Sequence, residues 1–134
     1  NNGNSAGYAK MTVIETLDSA TVETTAKRTV KKGAAIRTDG YFSYRVLSKD
    51  YTHDGKTVAA KDAAKMIPWV HTLIGNVKTF LRGTYHGVSH KHLQHYLDEF
   101  CYRHNRRFRG AEMFQRILAA ALVAPIITYA ELTR

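Results

Sequence analysis

Apolar residues recur along this chain at two different spacings, and the change from one to the other organises it. From Gly7 to Thr16 (GYAKMTVIET), apolar and β-branched residues alternate with polar ones, the period-2 pattern of a strand. From Ala20 to Val30 the period lengthens, with Val22, Ala26 and Val30 one helical turn apart and Ser19 placed as an N-cap. Lys31-Lys32-Gly33 ends that helix. Ala34–Thr38 then reads as a short strand running into Asp39-Gly40, Tyr41–Leu47 as a short helix and Tyr51–His53 as a second short strand.

Lys56–Lys65 is polar and predicts a loop, punctuated by Pro68. A helix is predicted over about Val70–Leu81, with Leu73, Ile74, Val77, Phe80 and Leu81 along one side. Gly83 and Gly87 frame a connector, Thr84-Tyr85-His86. Ser89 is placed to cap a long helix reaching about Arg107, whose core stripe is Leu93, Leu97, Phe100 and Cys101. Gly110 breaks it. A last helix spans Ala111–Val123 through Phe114, Ile117, Leu118 and Leu122 and ends before Pro125. Strands come early and helices late, behind a strand–helix–strand unit, so the fold class is α/β or α+β in a single domain of residues 1–134.

Charge narrows the partners. Lys and Arg number 20 against 11 Asp and Glu, a formal +9, which favours a polyanion because each neutralised phosphate releases condensed counterions. The one cysteine, Cys101, excludes an internal disulfide and a Cys-based zinc site, and its place on an apolar stripe makes it a buried small hydrophobe. No apolar run has the length of a membrane span and no signal-peptide pattern opens the chain, so a reducing, cytoplasmic setting is expected. Asn1–Ser5 reads as a loop without an initiator Met, and the chain is expected to begin inside a longer protein.

Four groups of residues are candidates for chemistry. Thr38-Asp39-Gly40 delivers an acid at the end of a short strand, a placement that suits a divalent cation, although Asp-Gly also makes plain turns. In His71–Lys78 the helical wheel sets Asn76 with Thr72 and Thr79, away from Leu73, Val77 and Phe80. Gly75 sits in mid-helix, which predicts close backbone packing there. Lys78 and Arg82, one turn apart, can reach a phosphate. His86, His90, His92, His95 and His104 form the third group. His92 and His95 share a face at a metal-compatible spacing, but no acid or thiol joins them. Arg103, Arg106, Arg107 and Arg109 crowd one helix end, more than the macrodipole needs, which favours phosphate contact.

The strings Gly83–Ser89 (GTYHGVS), His92–Phe100 (HLQHYLDEF) and Tyr102–Arg107 (YRHNRR) resemble a hallmark of certain bacterial insertion-sequence transposases. So do Pro68–Thr72 (PWVHT) and Ile36–Tyr41 (IRTDGY). The resemblance, to the ISXO2-like transposase domain of the DDE superfamily, runs in order over nearly the whole chain. It implies a ribonuclease-H-like, retroviral-integrase-like core, with a mixed sheet flanked by helices, here lacking its earliest strands. It implies a triad of two acids and a Glu or Asn that holds two Mg²⁺ (or Mn²⁺) ions, with Asp39 as second acid and Asn76 as third member. The neutral Asn oxygen is the weaker ligand, so the second cation binds loosely until DNA supplies phosphate oxygens. Glu15 and Asp18 lie too near Asp39 to be the first acid, which is expected before Asn1, leaving this stretch inactive alone. The implied partner is double-stranded DNA, as terminal inverted repeats and target, contacted by Lys78, Arg82, His86, Lys91, Arg103, Arg106 and Arg107. The implied activity is strand cleavage and joining by a homodimer or higher assembly. The competing readings are a ribonuclease-H-like domain that binds DNA without cutting it, and a histidine metal-site domain unrelated to nucleic acid.

Overall fold

A computed structural model of the chain describes residues 6–55 and 67–132. The expected loop at Lys56–Lys65 and the first five residues lie outside them. Helix α1 spans Ser19–Thr29. Its N-cap is Asp18 rather than Ser19: the carboxylate accepts from the Thr21 N–H at 2.7 Å and from the Thr16 hydroxyl at 2.6 Å. Val22 is buried on the inner face of α1, as its spacing predicts, and Lys27 and Arg28 occupy the last turn, where the helix dipole favours cations.

Gly33, with φ 79°, turns the chain into strand β1, Ala35–Thr38. The predicted short helix is a 3-10 helix, Phe42–Lys49, and it leads to strand β2, Thr52–Gly55. The two strands pair in parallel, Ala35 opposite Thr52 and Thr38 opposite Gly55. Parallel strands need a crossover connection, and the 3-10 helix supplies it. A small core forms around Val22, Leu47 and Tyr51, with Ala26, Val30, Ile36 and Val46 packed on it.

The helices carry the rest of the fold. Helix α2, Pro68–Tyr85, starts with Pro in the first turn, where its missing N–H is no loss, and ends on His86 in the left-handed conformation, φ 51°. Gly83, Thr84 and Tyr85 are therefore its last turn, not a connector. Ser89 caps nothing with its side chain; a short 3-10 turn at His90–His92 precedes helix α3, Leu93–Asn105. Helices α2 and α3 pack through aromatic rings, Phe80 on Phe100 at 5.6 Å and Tyr85 on Tyr96 at 4.4 Å between centroids. Val77 of α2 and Cys101 of α3 are buried. Helix α4 covers Gly110–Val123, and a last turn, α5, covers Tyr129–Leu132.

The first predicted strand is not one. Residues 6–18 form no strand, and the backbone of Ala9, Met11 and Val13 is bonded to side chains of α3. The Asn105 amide donates to the Ala9 carbonyl at 2.8 Å and accepts from the Ala9 N–H at 2.6 Å. Gln94 accepts from the Val13 N–H at 2.8 Å and donates to the Met11 carbonyl at 3.1 Å. These two amides satisfy polar groups that a neighbouring strand would otherwise pair. Among the described residues the architecture is thus mixed α/β and mostly helical, with two parallel strands in place of the expected mixed sheet.

Candidate functional site

Asp39 stands where β1 ends, exposed to solvent. Its turn is built by its neighbours. The Thr38 hydroxyl accepts from the Gly40 N–H at 3.2 Å and lies 2.9 Å from Nε2 of His53, on β2. Nδ1 of His53 in turn lies 3.3 Å from the Ser48 hydroxyl. Gly40 adopts φ 78°, a backbone conformation glycine enters without steric cost. A Cβ at Gly55, opposite Thr38, would lie 2.6 Å from the His53 ring, so a side chain there requires that ring to shift. The Asp39 carboxylate accepts weakly from the Tyr41 N–H at 3.3 Å. Burial, then the nearby negative charge of Asp39, raises the Tyr44 phenol above its ordinary range.

Asn76 is exposed on α2, one residue before buried Val77, as the helical wheel places it. Gly75 is a correction: a Cβ there would meet nothing within 4 Å, so close packing does not account for it. Among the described residues no hydrogen bond joins Asp39 to Asn76, and no three His, Cys, Asp or Glu side chains gather as a metal-binding group. His92 and His95 bring their rings to 6.4 Å, nearly parallel. In donor chemistry Asp39 and Asn76 each offer oxygen, the element a hard cation such as Mg²⁺ takes.

The basic residues fall into two kinds. Lys78, Arg82 and His86 lie exposed along and just past α2, and Lys91 is exposed on the 3-10 turn before α3. The arginines in and just past the last turn of α3 are engaged within the chain. Arg103 pairs with Glu99 at 2.7 Å, and Glu99 also accepts from the Tyr85 hydroxyl at 2.6 Å, a bond that raises the Tyr85 phenol. Arg106 lies 3.8 Å over the Tyr102 ring. Arg107 donates to the His104 carbonyl at 2.8 Å and to the Ala6 carbonyl, so it also ties down the N-terminal segment.

Beside them lies a cleft of about 250 Å³ walled by Tyr8, Asn105, Arg106, Arg109, Glu112 and Arg116. Tyr8 and Arg116 were not singled out by the sequence pattern. The available signal was the seven-residue spacing of Arg109 and Arg116, two turns apart about the start of α4. Nor did the pattern single out His53 and Gly55, whose relation to Asp39 exists only once β1 and β2 pair. Gln94 and Asn105, on one face of α3, gave no signal because their partner is main chain.

No match was found among curated proteins or among solved structures. The family comparison is positive: residues 1–105 match the family described as the ISXO2-like transposase domain, a stretch holding Asp39, Asn76 and both strands. The chain belongs to the ISXO2-like transposase domain family.

Proposed function

We propose that this domain is the catalytic core of an insertion-sequence transposase, ribonuclease-H-like in architecture, with Asp39 and Asn76 as two members of an Asp–Asp–Asn metal-binding set. One observation carries the reading: a transposase-family chain presents an exposed carboxylate at the C-terminal end of a parallel strand. In α/β folds that end of the sheet is where ligands bind.

Membership in a transposase family brings DNA transposition, and DNA as partner, with it. Asp39 offers a charged oxygen and Asn76 a neutral one. When bound there, Mg²⁺ or Mn²⁺ lowers the pKa of an attacking water or DNA 3′-hydroxyl and stabilises the departing oxygen. The residues around the acid keep it presented. Gly40 lets the backbone turn, and the Thr38–His53 contact fixes the strand end from which Asp39 projects. Lys78, Arg82, His86 and Lys91 form the surface that neutralises DNA phosphates, and Arg103, Arg106 and Arg107 contribute charge from the end of α3. No residue of this chain is assigned as the first acid.

The test is strand cleavage by the whole transposase on DNA carrying the element's ends, with Mg²⁺ or Mn²⁺. Asp39→Ala and Asn76→Ala are expected to bind that DNA within a few-fold of the unmodified protein and to lose cleavage by at least 100-fold. Undiminished cleavage by Asp39→Ala removes Asp39 from the metal set. Binding by the unmodified protein with no cleavage under either metal would establish the binding-only alternative instead.

A further inference from the structure

The entry to the 3-10 helix behind Asp39 carries two aromatic rings in solvent. Tyr41 is 44% exposed and Phe42 60%, and their ring centroids lie 4.5 Å apart. The Tyr41 ring also meets Tyr44 edge-on at 6.1 Å, and Tyr44 packs on the core around Leu47. The rings thus form a supported row: Tyr44 is anchored inside, Tyr41 leans on it, and Phe42 is outermost. Residues three apart in a 3-10 helix share a face, so Arg45 stands on the side of Phe42. Arg45 is exposed and makes no ion pair among the described residues. The row starts at the acid itself, because the Tyr41 N–H donates to the Asp39 carboxylate.

We propose that Phe42 and Tyr41 form a stacking platform for one unpaired DNA base, the base flanking the phosphate bound at Asp39, with Arg45 on the adjoining backbone phosphate. Three observations select that occupant. The first is partner: a transposase-family chain meets DNA, and the platform adjoins the candidate acid. The second is size. The two rings expose on the order of 200 Å², against about 800 Å² per partner in a standard protein interface, too little for a protein and enough for a base. The third is charge: an exposed ring with a cation on its face is how single strands are held, ring to base and guanidinium to phosphate. In a duplex each base face is already covered by its neighbour, so the rings gain only from a base that has left the stack. A base held there keeps the strand open beside the bond to be cut.

The inference rests on the metal-site reading for the position of the phosphate, whereas stacking is read in EDTA, without metal or cleavage. The probes are two duplexes of the element's end, one fully paired and one unpaired over about three nucleotides at the cleaved position. The whole transposase is expected to bind the opened duplex more tightly. Phe42→Ala is expected to lose roughly 5- to 100-fold in affinity for the opened duplex, and less than about twofold for the paired one. Phe42→Trp is expected to keep the preference, and Arg45→Ala to lower the salt slope on the opened duplex by about one. A fluorescent aminopurine in the opened stretch is expected to be quenched by the unmodified protein and by Phe42→Trp, but not by Phe42→Ala. Equal affinity of the unmodified protein for both duplexes overturns the proposal, as does an unchanged preference in Phe42→Ala. Equal loss on both duplexes, with altered circular dichroism, overturns it by making Phe42 a folding residue. A Phe42→Ala variant whose sole change is a smaller mass in sedimentation overturns it by giving the rings to a second copy. If Asp39→Ala still cleaves while opened-duplex binding needs Phe42, the metal reading fails and the stacking stands.

Discussion

Ser43 and Leu47 show how much of the strand–helix unit hangs on single side chains. Ser43 is fully buried, and its hydroxyl donates to the Leu17 carbonyl at 2.8 Å, tying the 3-10 helix to the chain that enters α1. Leu47, one turn on, fills the space between α1 and the two strands beside Val22 and Tyr51. Leu47→Ala is expected to cost about 2–5 kcal/mol in urea denaturation, because lost transfer energy and a residual cavity add. A loss below 1 kcal/mol would mean that the site collapses around the smaller residue. Cys101 belongs to this scale as well: its position on the apolar stripe of α3 announced burial, and burial raises its thiol, which makes it an inert core residue. Asp39 was legible at the end of its strand. Its supports were not: His53 is legible only as the end of a short strand and Gly55 lies beyond it, and their relation to Asp39 exists only when β2 lies beside β1.

Elements followed local pattern wherever the pattern itself decided the structure. Helices α1, α2 and α4 lie within a few residues of their predicted spans, since the 3.6 period and the proline of the first turn act locally. Residues 7–16 carry a strand's alternation, and Ala9 is indeed turned inward. Alternation reports which side faces in, not whether the partner is another strand or, as here, the amides of Gln94 and Asn105. The α4 stripe has the same limit, since spacing identifies an apolar side without naming what covers it. The cap of α1 offers a test at this scale. Hydrogen bonds from the Thr16 hydroxyl and then the Thr21 N–H hold the Asp18 carboxyl below its ordinary value of 3.8. A carboxylate lowered on folding stabilises the fold above the unfolded value and loses that effect as pH falls through the folded one. Protection of the first-turn amides of α1 is therefore expected to persist down to about pH 3.8 and to fall away below it. Asp18→Asn, which keeps an oxygen at the cap, should remove that step. Protection that falls equally in both proteins would place its cause elsewhere.

In the whole molecule, charge is distributed by sign as well as by amount. Several acids are drawn into pairs: Asp50 with Lys27 and Lys32, Asp54 with Arg37, Glu99 with Arg103. The surplus of cations suits a DNA partner, whereas residues 117–130 carry no charged side chain. Among the described residues no helix is long and apolar enough to cross a membrane. The contacts that close the chain on itself, from residues 6–13 to α3, have a consequence in time. Ala9 and Asn105 are 96 residues apart, and Val13 and Gln94 are 81 apart. Closing a loop of that length costs about 4 kcal/mol in chain entropy before any reward, as much as several net hydrogen bonds return. The clasp is thus expected to shut after α3 has formed, outside the rate-limiting step of folding. Asn105→Ala is expected to speed unfolding about tenfold while leaving the folding rate near that of the unmodified chain, read from the two limbs of a stopped-flow chevron. Slower folding in that variant would mean the two ends meet early. If the clasp closes last, it is also the first part of the molecule to open, and the molecule's lifetime is set by two amide side chains.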